Sequence, residues 1–157
     1  MTRKLLPGQR KQNGFTLAEL MVAIAILGII VGIAVPSMQS FILNQRVRSA
    51  SFDLNSDLLY ARSEATKRNV DVVMAANDRS WQNGWVISAG GVTLKQRDAL
   101  RDITIAATGN AIIFRHTGRL PVGSAQQTFR LNASDSRAGV AERCLILNTS
   151  GKVSNEC

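Results

Sequence analysis

The feature that most constrains this chain is an apolar segment between Gly14 and Pro36. Its 21 residues carry one charge, the carboxylate of Glu19. As a helix, a segment of this length spans about 32 Å, which matches a bilayer hydrocarbon core of about 30 Å. An acid inside a membrane helix is costly, about 2.5 to 3.5 kcal/mol for Asp at the helix centre, and such acids usually serve a function. We therefore predict a membrane helix whose single acid has a role beyond insertion.

The segment before this helix is a short basic leader. Its four cations have no acid among them, so they should stay on the cytoplasmic side and orient the rest of the chain across the membrane; they are Arg3, Lys4, Arg10 and Lys11. Two simpler interpretations stay open. The helix could be a secretory signal cleaved before Val35, after the small residues Gly32 and Ala34, or a plain signal anchor.

The length and composition of the chain limit the number of domains and the kinds of site that it can have. A length of 157 residues suits one domain plus an appendage. The net charge of +8 falls to a mild excess, 15 basic against 11 acidic residues, once the four leader cations are set aside. Two cysteines and one histidine give no zinc-site spacing, so we expect no metal and no cofactor. Because His116 has no acid or nucleophile partner evident in the sequence, we also expect no enzymatic activity.

The residues around the leader junction form a specific motif. Gly14-Phe15-Thr16-Leu17-Ala18-Glu19-Leu20, followed by an apolar helix, resembles the type III signal of type IV pilins and type II secretion pseudopilins. The resemblance implies that a prepilin peptidase cleaves between Gly14 and Phe15 and that Phe15 is then N-methylated. Residues 1–14 would be the removed leader, and residues 15–36 would remain as the transmembrane helix and later the filament core.

Glu19 fits such a core as an assembly residue. The amino group of Phe15 in a neighbouring subunit could neutralise its carboxylate and offset part of the cost of burial. One charge would then set the axial register of the helices. Small residues along the helix, including Gly28-x-x-x-Gly32, would let helices approach closely, although a lone GxxxG pattern is weak evidence.

The helical pattern continues beyond the membrane segment. Residues 37–69 contain no glycine or proline. Leu54, Leu58, Ala61 and Ala65 step by four, three and four, which predicts one buried stripe. A second apolar set recurs near multiples of seven: Met38, Phe41, Ile42, Phe52 and Leu59. We expect the charged residues of this helix, among them Asp57 and Glu64, to occupy mostly the other, solvated faces.

From Val70 onward the period changes to that of β-strands. Short β-rich runs are separated by residues typical of turns, which predicts an antiparallel sheet over residues 70–157. The runs are 71–75, 84–88, 103–106, 111–114, 128–131 and 144–147. The fold class predicted is α+β and pilin-like: a long N-terminal helix, half transmembrane and half amphipathic, packed on an antiparallel β-sheet. Residues 37–157 would form the periplasmic or extracellular domain.

Later motifs narrow the resemblance to the FimT, FimU and GspH group of minor pilins and pseudopilins. They are Leu58-Leu59-Tyr60-Ala61-Arg62-Ser63-Glu64-Ala65, Trp81-Gln82-Asn83-Gly84-Trp85 and Phe114-Arg115-His116-Thr117-Gly118. We interpret Trp81 and Trp85 as core and edge packing.

Cys144 and Cys157 enclose twelve residues at the end of the sequence. In an oxidising compartment they could form a disulfide that contributes about 3 kcal/mol and holds residues 151–154 as a last hairpin strand. A free reactive thiol is the competing interpretation.

Some FimT-type proteins bind DNA through a basic C-terminal tail with a Gly-Arg-x-Arg motif. Here the matching place reads Gly151-Lys152-Val153-Ser154, with one cation of the two. A few phosphate contacts give only weak, salt-sensitive binding. The residues to test are Arg130, Arg137, Arg143 and Lys152.

Three functions remain open at this point. The chain could be a minor pilin that helps initiate a type IV pilus and sits at or near its tip, a minor pseudopilin of a type II secretion system, or a DNA-binding minor pilin for transformation. The resemblance implies a single-pass inner-membrane protein with a periplasmic domain that later enters a pilus or pseudopilus. Its partners would be other minor and major pilins or pseudopilins, the prepilin peptidase, the inner-membrane assembly platform and, before assembly, membrane lipid.

Overall fold

The computed structural model describes residues 15–135 and 139–155, without the side chains of residues 35–37. Within these residues the chain forms one α-helix, two short 3₁₀ turns and eight strands. The elements are α1 (Leu17–Arg68), β1 (Val72–Ala76), β2 (Trp85–Ala89), β3 (Val92–Arg97), β4 (Ile103–Ala107), β5 (Ala111–Phe114), β6 (Gln127–Ala133), β7 (Arg143–Leu147) and β8 (Val153–Ser154). The chain divides into two compact units, Met1–Ser37 and Met38–Cys157, and the boundary falls inside the range of α1.

In the second unit, α1 carries two apolar stripes. The stripe predicted to be buried is confirmed, since Leu54, Leu58, Ala61 and Ala65 are completely buried. Leu43, Val47 and Ala50 extend it toward the N-terminal side. The second set, from Met38 to Leu59, is exposed. This half of the helix is therefore apolar on more than the face it buries.

The helix ends where the sequence supplies a residue that tolerates a left-handed backbone. Asn69 has φ 56°, a conformation that asparagine adopts more readily than most residues. The amide of Val70 donates to the carbonyl of Ala65 at 3.3 Å, as in a Schellman motif. Lys67 and Arg68 lie in the last turn, where cations favour the negative end of the helix dipole.

The strands divide into two four-stranded antiparallel sheets. The first has the order β3-β2-β1-β5 and the second β4-β6-β7-β8. Inward-facing residues alternate with more exposed ones along strands such as Trp85–Ala89 and Ile103–Ala107. The buried stripe of α1 and the inner faces of both sheets form a single core cluster. The predicted α+β fold with a long helix on antiparallel strands is confirmed, with two sheets where one was expected.

One strand was not predicted. β3 (Val92–Arg97) contains two cations and is half exposed along its length, because it forms the edge of the first sheet. Its hairpin does have a sequence signal. Gly90 and Gly91, both with positive φ, join Ala89 to its register partner Val92. Two-residue hairpin turns of this kind favour glycine at both positions.

Candidate assembly surface and basic groups

The first functional residues of the described chain form the N-terminal end of α1. Thr16 immediately precedes the helix, and its Oγ1 accepts a hydrogen bond from the amide of Glu19 at 3.2 Å. Thr16 and Glu19 have the spacing of a capping box, in which the first residue caps the helix and the acid lies three residues later. A carboxylate in the first turn is also favoured by the helix dipole. Glu19 therefore has a local role in starting the helix.

The carboxylate of Glu19 has no partner among the described residues of its own chain. Its side chain is exposed and forms no ion pair there. Phe15, the residue predicted to become the methylated N-terminus, is exposed as well. Gly14 lies outside the described residues, so cleavage and methylation stay predictions. The cap explains the position of Glu19 at a helix start and leaves its charge available to another chain.

From Leu17 to Ile33 the helix surface is almost entirely apolar and is exposed. An 18-residue window has a mean hydropathy of 2.6, and none of it is buried in the protein. By length and composition this is the one described helix apolar enough to cross a membrane. Such a surface needs a cover of lipid or of other apolar helices, because isolated soluble proteins rarely expose contiguous patches of this size.

Gly28 and Gly32 have no structural role within the single chain. A Cβ atom built on either glycine meets no atom within 4 Å. Neither residue has the positive φ that would require glycine. The two glycines therefore leave open space on the helix surface, as a closely approaching neighbour would need.

Asp57 corrects the expectation that the charges of the helix are solvated. Its side chain is fully buried. One carboxylate oxygen accepts from Trp85 Nε1 at 2.9 Å, and the other lies 2.5 Å from Lys95 Nζ. Arg97 approaches the same carboxylate at 3.4 Å and also pairs with Asp53 at 3.2 Å. Asp57 thus fastens α1 to strands β2 and β3 of the first sheet.

Glu64 is the second buried acid of the helix. Its carboxylate pairs with Arg68 at 2.5 Å and with Lys67 at 3.9 Å. The spacing of four residues along the helix accounts for the pairing with Arg68, whereas the burial is contrary to the expectation of a solvated face. An acid beside the buried stripe can be covered by neighbouring elements, and helix periodicity does not reveal which elements those are.

Both tryptophans are core residues, as predicted. Trp81 and Trp85 are at most 2% exposed, and Trp81 packs edge-on against Phe129 with ring centroids 5.1 Å apart. Trp81 Nε1 donates to the carbonyl of Gly109 at 2.7 Å. These contacts satisfy the polar atoms of both indoles, so the rings serve packing.

Among the described residues, two of the predicted DNA-binding cations, Arg130 and Arg143, lie on opposite faces of the second sheet. Arg130 is exposed on β6 and pairs with Glu142 at 3.6 Å. Arg143 is the register partner of Leu131, the residue after Arg130, and therefore points to the other face of the second sheet. Lys152 lies on the turn between β7 and β8, and Arg137 is outside the described residues.

The turn that carries Lys152 lies against a second turn, at Gly118. A Cβ built on the adjacent Gly151 would meet the carbonyl oxygen of Gly118 at 2.2 Å, so the two turns are in close contact. Arg62 lies beside this contact, and its Nη1 donates a hydrogen bond to the carbonyl of Gly151 at 3.0 Å. Arg119 follows Gly118 and is exposed. Sequence reasoning missed this pairing because the two turns are distant along the chain.

His116 does have an acid neighbour. Asp71 Oδ1 accepts from the backbone amide of His116 at 3.2 Å and lies 3.9 Å from its Nδ1. The same carboxylate lies 3.5 Å from Arg115. The group is half exposed and holds the loop after β5 against the start of β1. No cluster of three or more metal-ligating side chains occurs in the described part of the chain.

Cys144 is disulfide-bonded. The second cysteine, Cys157, lies outside the described residues, and the pairing of the two stays a prediction. Beside Cys144 a groove of about 440 Å³ lies between α1, the start of β7 and Asn155. It is lined by Gln45, Arg48, Ser49, Ser51, Phe52, Asn55, Arg143, Cys144 and Asn155.

Comparison with protein families gives two matches that together cover most of the chain. The family described as Type II transport protein GspH matches residues 50–151, about two thirds of the sequence. The prokaryotic N-terminal methylation motif matches residues 9–35.

Curated relatives match over shorter stretches. Fimbrial protein EcpB of Eikenella corrodens is 34% identical over 73 residues, 46% of this chain and 46% of that protein. A fimbrial protein of Moraxella nonliquefaciens is 39% identical over 83 residues, 53% of this chain and 47% of its own length. The chain thus spans about half the length of the curated relatives it matches.

Solved structures are similar to this chain over a larger share of its length. The type IV minor pilin FimU of Pseudomonas aeruginosa superposes with a TM-score of 0.63 at 26% identity, covering 74% of this chain and 92% of FimU. The minor pseudopilin EpsH of the type 2 secretion system of Vibrio cholerae gives 0.55 at 9% identity, covering 71% and 96%, a likeness of fold alone. With the GspH match, the methylation motif and the apolar helix, these likenesses show that the chain belongs to the GspH family of pilin-like proteins.

Proposed function

We propose that this chain is a minor pilin that helps initiate assembly of a type IV pilus and sits at or near its tip. The observation that carries the proposal is the apolar surface of α1 from Leu17 to Ile33, which is exposed on every side and has at its start one carboxylate without a partner among the described residues. FimU, to which the chain is similar in sequence and fold, is a type IV minor pilin.

The proposal includes a sequence of steps at the N-terminus. The leader stays in the cytoplasm, the helix spans the inner membrane, and the second unit lies in the periplasm. A prepilin peptidase cleaves between Gly14 and Phe15, and Phe15 is N-methylated. Lipid covers the apolar helix until the assembly platform transfers the subunit to the filament, where helices of other pilins replace the lipid.

Glu19 sets the register of this transfer. Its carboxylate pairs with the amino group of Phe15 in a neighbouring subunit, in a bundle from which water is excluded. Removing one partner of a buried ion pair costs about 3 to 5 kcal/mol, because the other charge stays buried alone. We therefore expect Glu19→Ala to insert normally but to enter filaments at least about tenfold less. The measurement is the ratio of subunit in sheared filaments to subunit in membranes.

Thr16→Ala is the matched control for this experiment. It removes the side-chain cap from the Glu19 amide, at about 1 kcal/mol of helix stability, and keeps the carboxylate. If Thr16→Ala impairs incorporation as much as Glu19→Ala, the role of Glu19 is capping and the register proposal is wrong. Normal incorporation of Glu19→Ala contradicts it as well.

A pseudopilin of a type II secretion system is the second candidate function. The match to the GspH family and the fold likeness to EpsH favour it. The same polymer would then drive secretion instead of building a surface pilus. Deleting the gene separates the two candidates: loss of surface pili with normal secretion supports the first, and loss of secreted enzymes with normal pili supports the second.

DNA binding is a third candidate, supported by the exposed cations Arg119 and Lys152 on two touching turns. Gel shifts of residues 37–157 at two salt concentrations test it. Binding that weakens steeply with salt and with Lys152→Glu supports the candidate, and the absence of a shift at low salt contradicts it. Arg130→Glu is the comparison, because Arg130 is already paired with Glu142.

A further inference from the structure

Within the second unit, α1 exposes a row of apolar side chains. We call it the seam, and it consists of Met38, Phe41, Ile42, Phe52 and Leu59. Phe52 is 70% exposed, and the other members are between 43% and 58% exposed. Seven and eleven residues are close to two and three turns of an α-helix, so these positions share one side of it. That side lies opposite the buried stripe, with Leu54 and Leu58 pointing into the core. The seam has the spacing by which one helix packs against another.

Two arginines flank the seam at the groove beside Phe52. Arg48 and Arg143 line this groove together, with the amides of Gln45, Asn55 and Asn155. Neither arginine forms a hydrogen bond or an ion pair with any described residue. Other cations of the domain do, as Arg46 with Asp102 and Arg97 with Asp53. The groove therefore has two guanidinium groups available to an outside carboxylate.

The acids of the same helix segment are all engaged inside the protein. Asp53 pairs with Arg97, Asp57 is buried against Lys95, and Glu64 is buried against Arg68. A second copy of this chain would bring its own Arg48 and Arg143 to the seam and no free helix acid to meet them. Like charges placed opposite each other disfavour that pairing.

We propose that the seam and groove bind a helix of a different subunit, one with an apolar stripe and carboxylates placed against Arg48 and Arg143. The charge pattern selects a partner unlike this chain and disfavours self-association. This inference rests on the proposed function, because a filament subunit needs lateral partners, and it adds which chemistry the partner presents.

The test uses the full chain in nanodiscs of zwitterionic lipid and two synthetic helical peptides. Both peptides carry the same apolar stripe at seam spacing, and they differ only in flanking glutamates or lysines. At low ionic strength the glutamate peptide should bind on the order of tenfold more tightly by fluorescence anisotropy, since each exposed ion pair contributes a modest amount. The preference should shrink as salt rises.

Charge-reversal variants locate the binding surface. The double variant Arg48→Glu, Arg143→Glu should bind the lysine peptide more tightly than the glutamate peptide. Phe52→Ser should weaken the binding of both peptides. Arg101→Glu is the matched control, because Arg101 is also exposed and forms no ion pair with a described residue, but it does not line the groove. It should leave the preference unchanged.

Four outcomes overturn the inference: equal binding of the two peptides, no effect of the double charge reversal, sedimentation showing self-association that Phe52→Ser abolishes, or an oligonucleotide that displaces the glutamate peptide. If the peptides bind equally while Glu19→Ala still blocks filament incorporation, the inference fails and the proposed function stands.

Discussion

At the residue scale, two acids of one helix have opposite environments. Glu19 lies in the first turn and is exposed, with its charge free of partners in the described chain. Asp57 is buried and meets Trp85, Lys95 and Arg97. The first was singled out from the sequence because an acid in an apolar segment is conspicuous. The second was not, because its partners come from strands 28 to 40 residues away.

Replacing Asp57 should destabilise the second unit. Asp57→Ala leaves a buried indole N–H without an acceptor and two cations without their anion, which we expect to cost about 2 to 4 kcal/mol. The lower part of the range allows for the partial exposure of Lys95 and Arg97. Urea denaturation of residues 38–157 measures the change.

Asp53→Ala is the control for this prediction, since its carboxylate is 34% exposed and pairs with Arg97 alone. Pairs of this kind usually contribute less than about 1 kcal/mol. Equal losses for the two variants would show that burial of Asp57 does not matter to stability.

At the element scale, α1 changes its surroundings along its length. Its first half is apolar on every face, and its second half buries one stripe in a core shared by two sheets. The sequence predicted both halves from hydropathy and from the spacing of Leu54, Leu58, Ala61 and Ala65. It did not predict edge strand β3, which is rich in polar residues. The backbone of β3 pairs with a neighbouring strand on one side only.

Substituting a glycine in the first half of α1 tests whether neighbouring helices approach closely there. Gly28→Leu should leave membrane insertion unchanged, because nothing in the chain lies within 4 Å of the added Cβ. We expect it to lower filament incorporation severalfold by holding neighbouring helices apart. The membrane-to-filament ratio measures the effect.

Val22→Leu is the matched control for Gly28→Leu, since it adds bulk on the same exposed helix at a position six residues away and about 120° around the helix axis from Gly28. Normal incorporation of Gly28→Leu would mean that Gly28-x-x-x-Gly32 is apolar filler.

The last hairpin, β7 with β8, depends on the disulfide at Cys144. The pairing β7–β8 is only two residues long, so the strand itself contributes little. If Cys157 is the partner, replacing both cysteines with serine should lower stability by about 3 kcal/mol. Denaturation of residues 38–157 with and without reductant measures it. A domain insensitive to reductant, with a thiol that reacts with maleimide, would contradict this contribution of the disulfide.

At the scale of the whole molecule, local patterns and long-range pairings were not equally predictable. Helix extent, strand positions and the pilin-like fold follow from periodicity, turn residues and motifs. The division into two sheets, and the contact of the Gly118 and Gly151 turns, depend on strand order, which no local pattern encodes. The placement of Arg130 and Arg143 on opposite faces of the second sheet follows from the same cause. DNA binding by these residues and Lys152 stays a prediction.

The role of α1 as a filament core depends on what happens at the junction of Gly14 and Phe15. Intact mass spectrometry of the protein isolated from membranes and from filaments reads this junction directly. We predict a chain that begins at Phe15 and carries an N-methyl group, with residues 1–14 removed. A chain that begins at Val35 would show a cleaved secretory signal, and one that retains Met1 would show a plain membrane anchor; either result contradicts the filament-core role of α1.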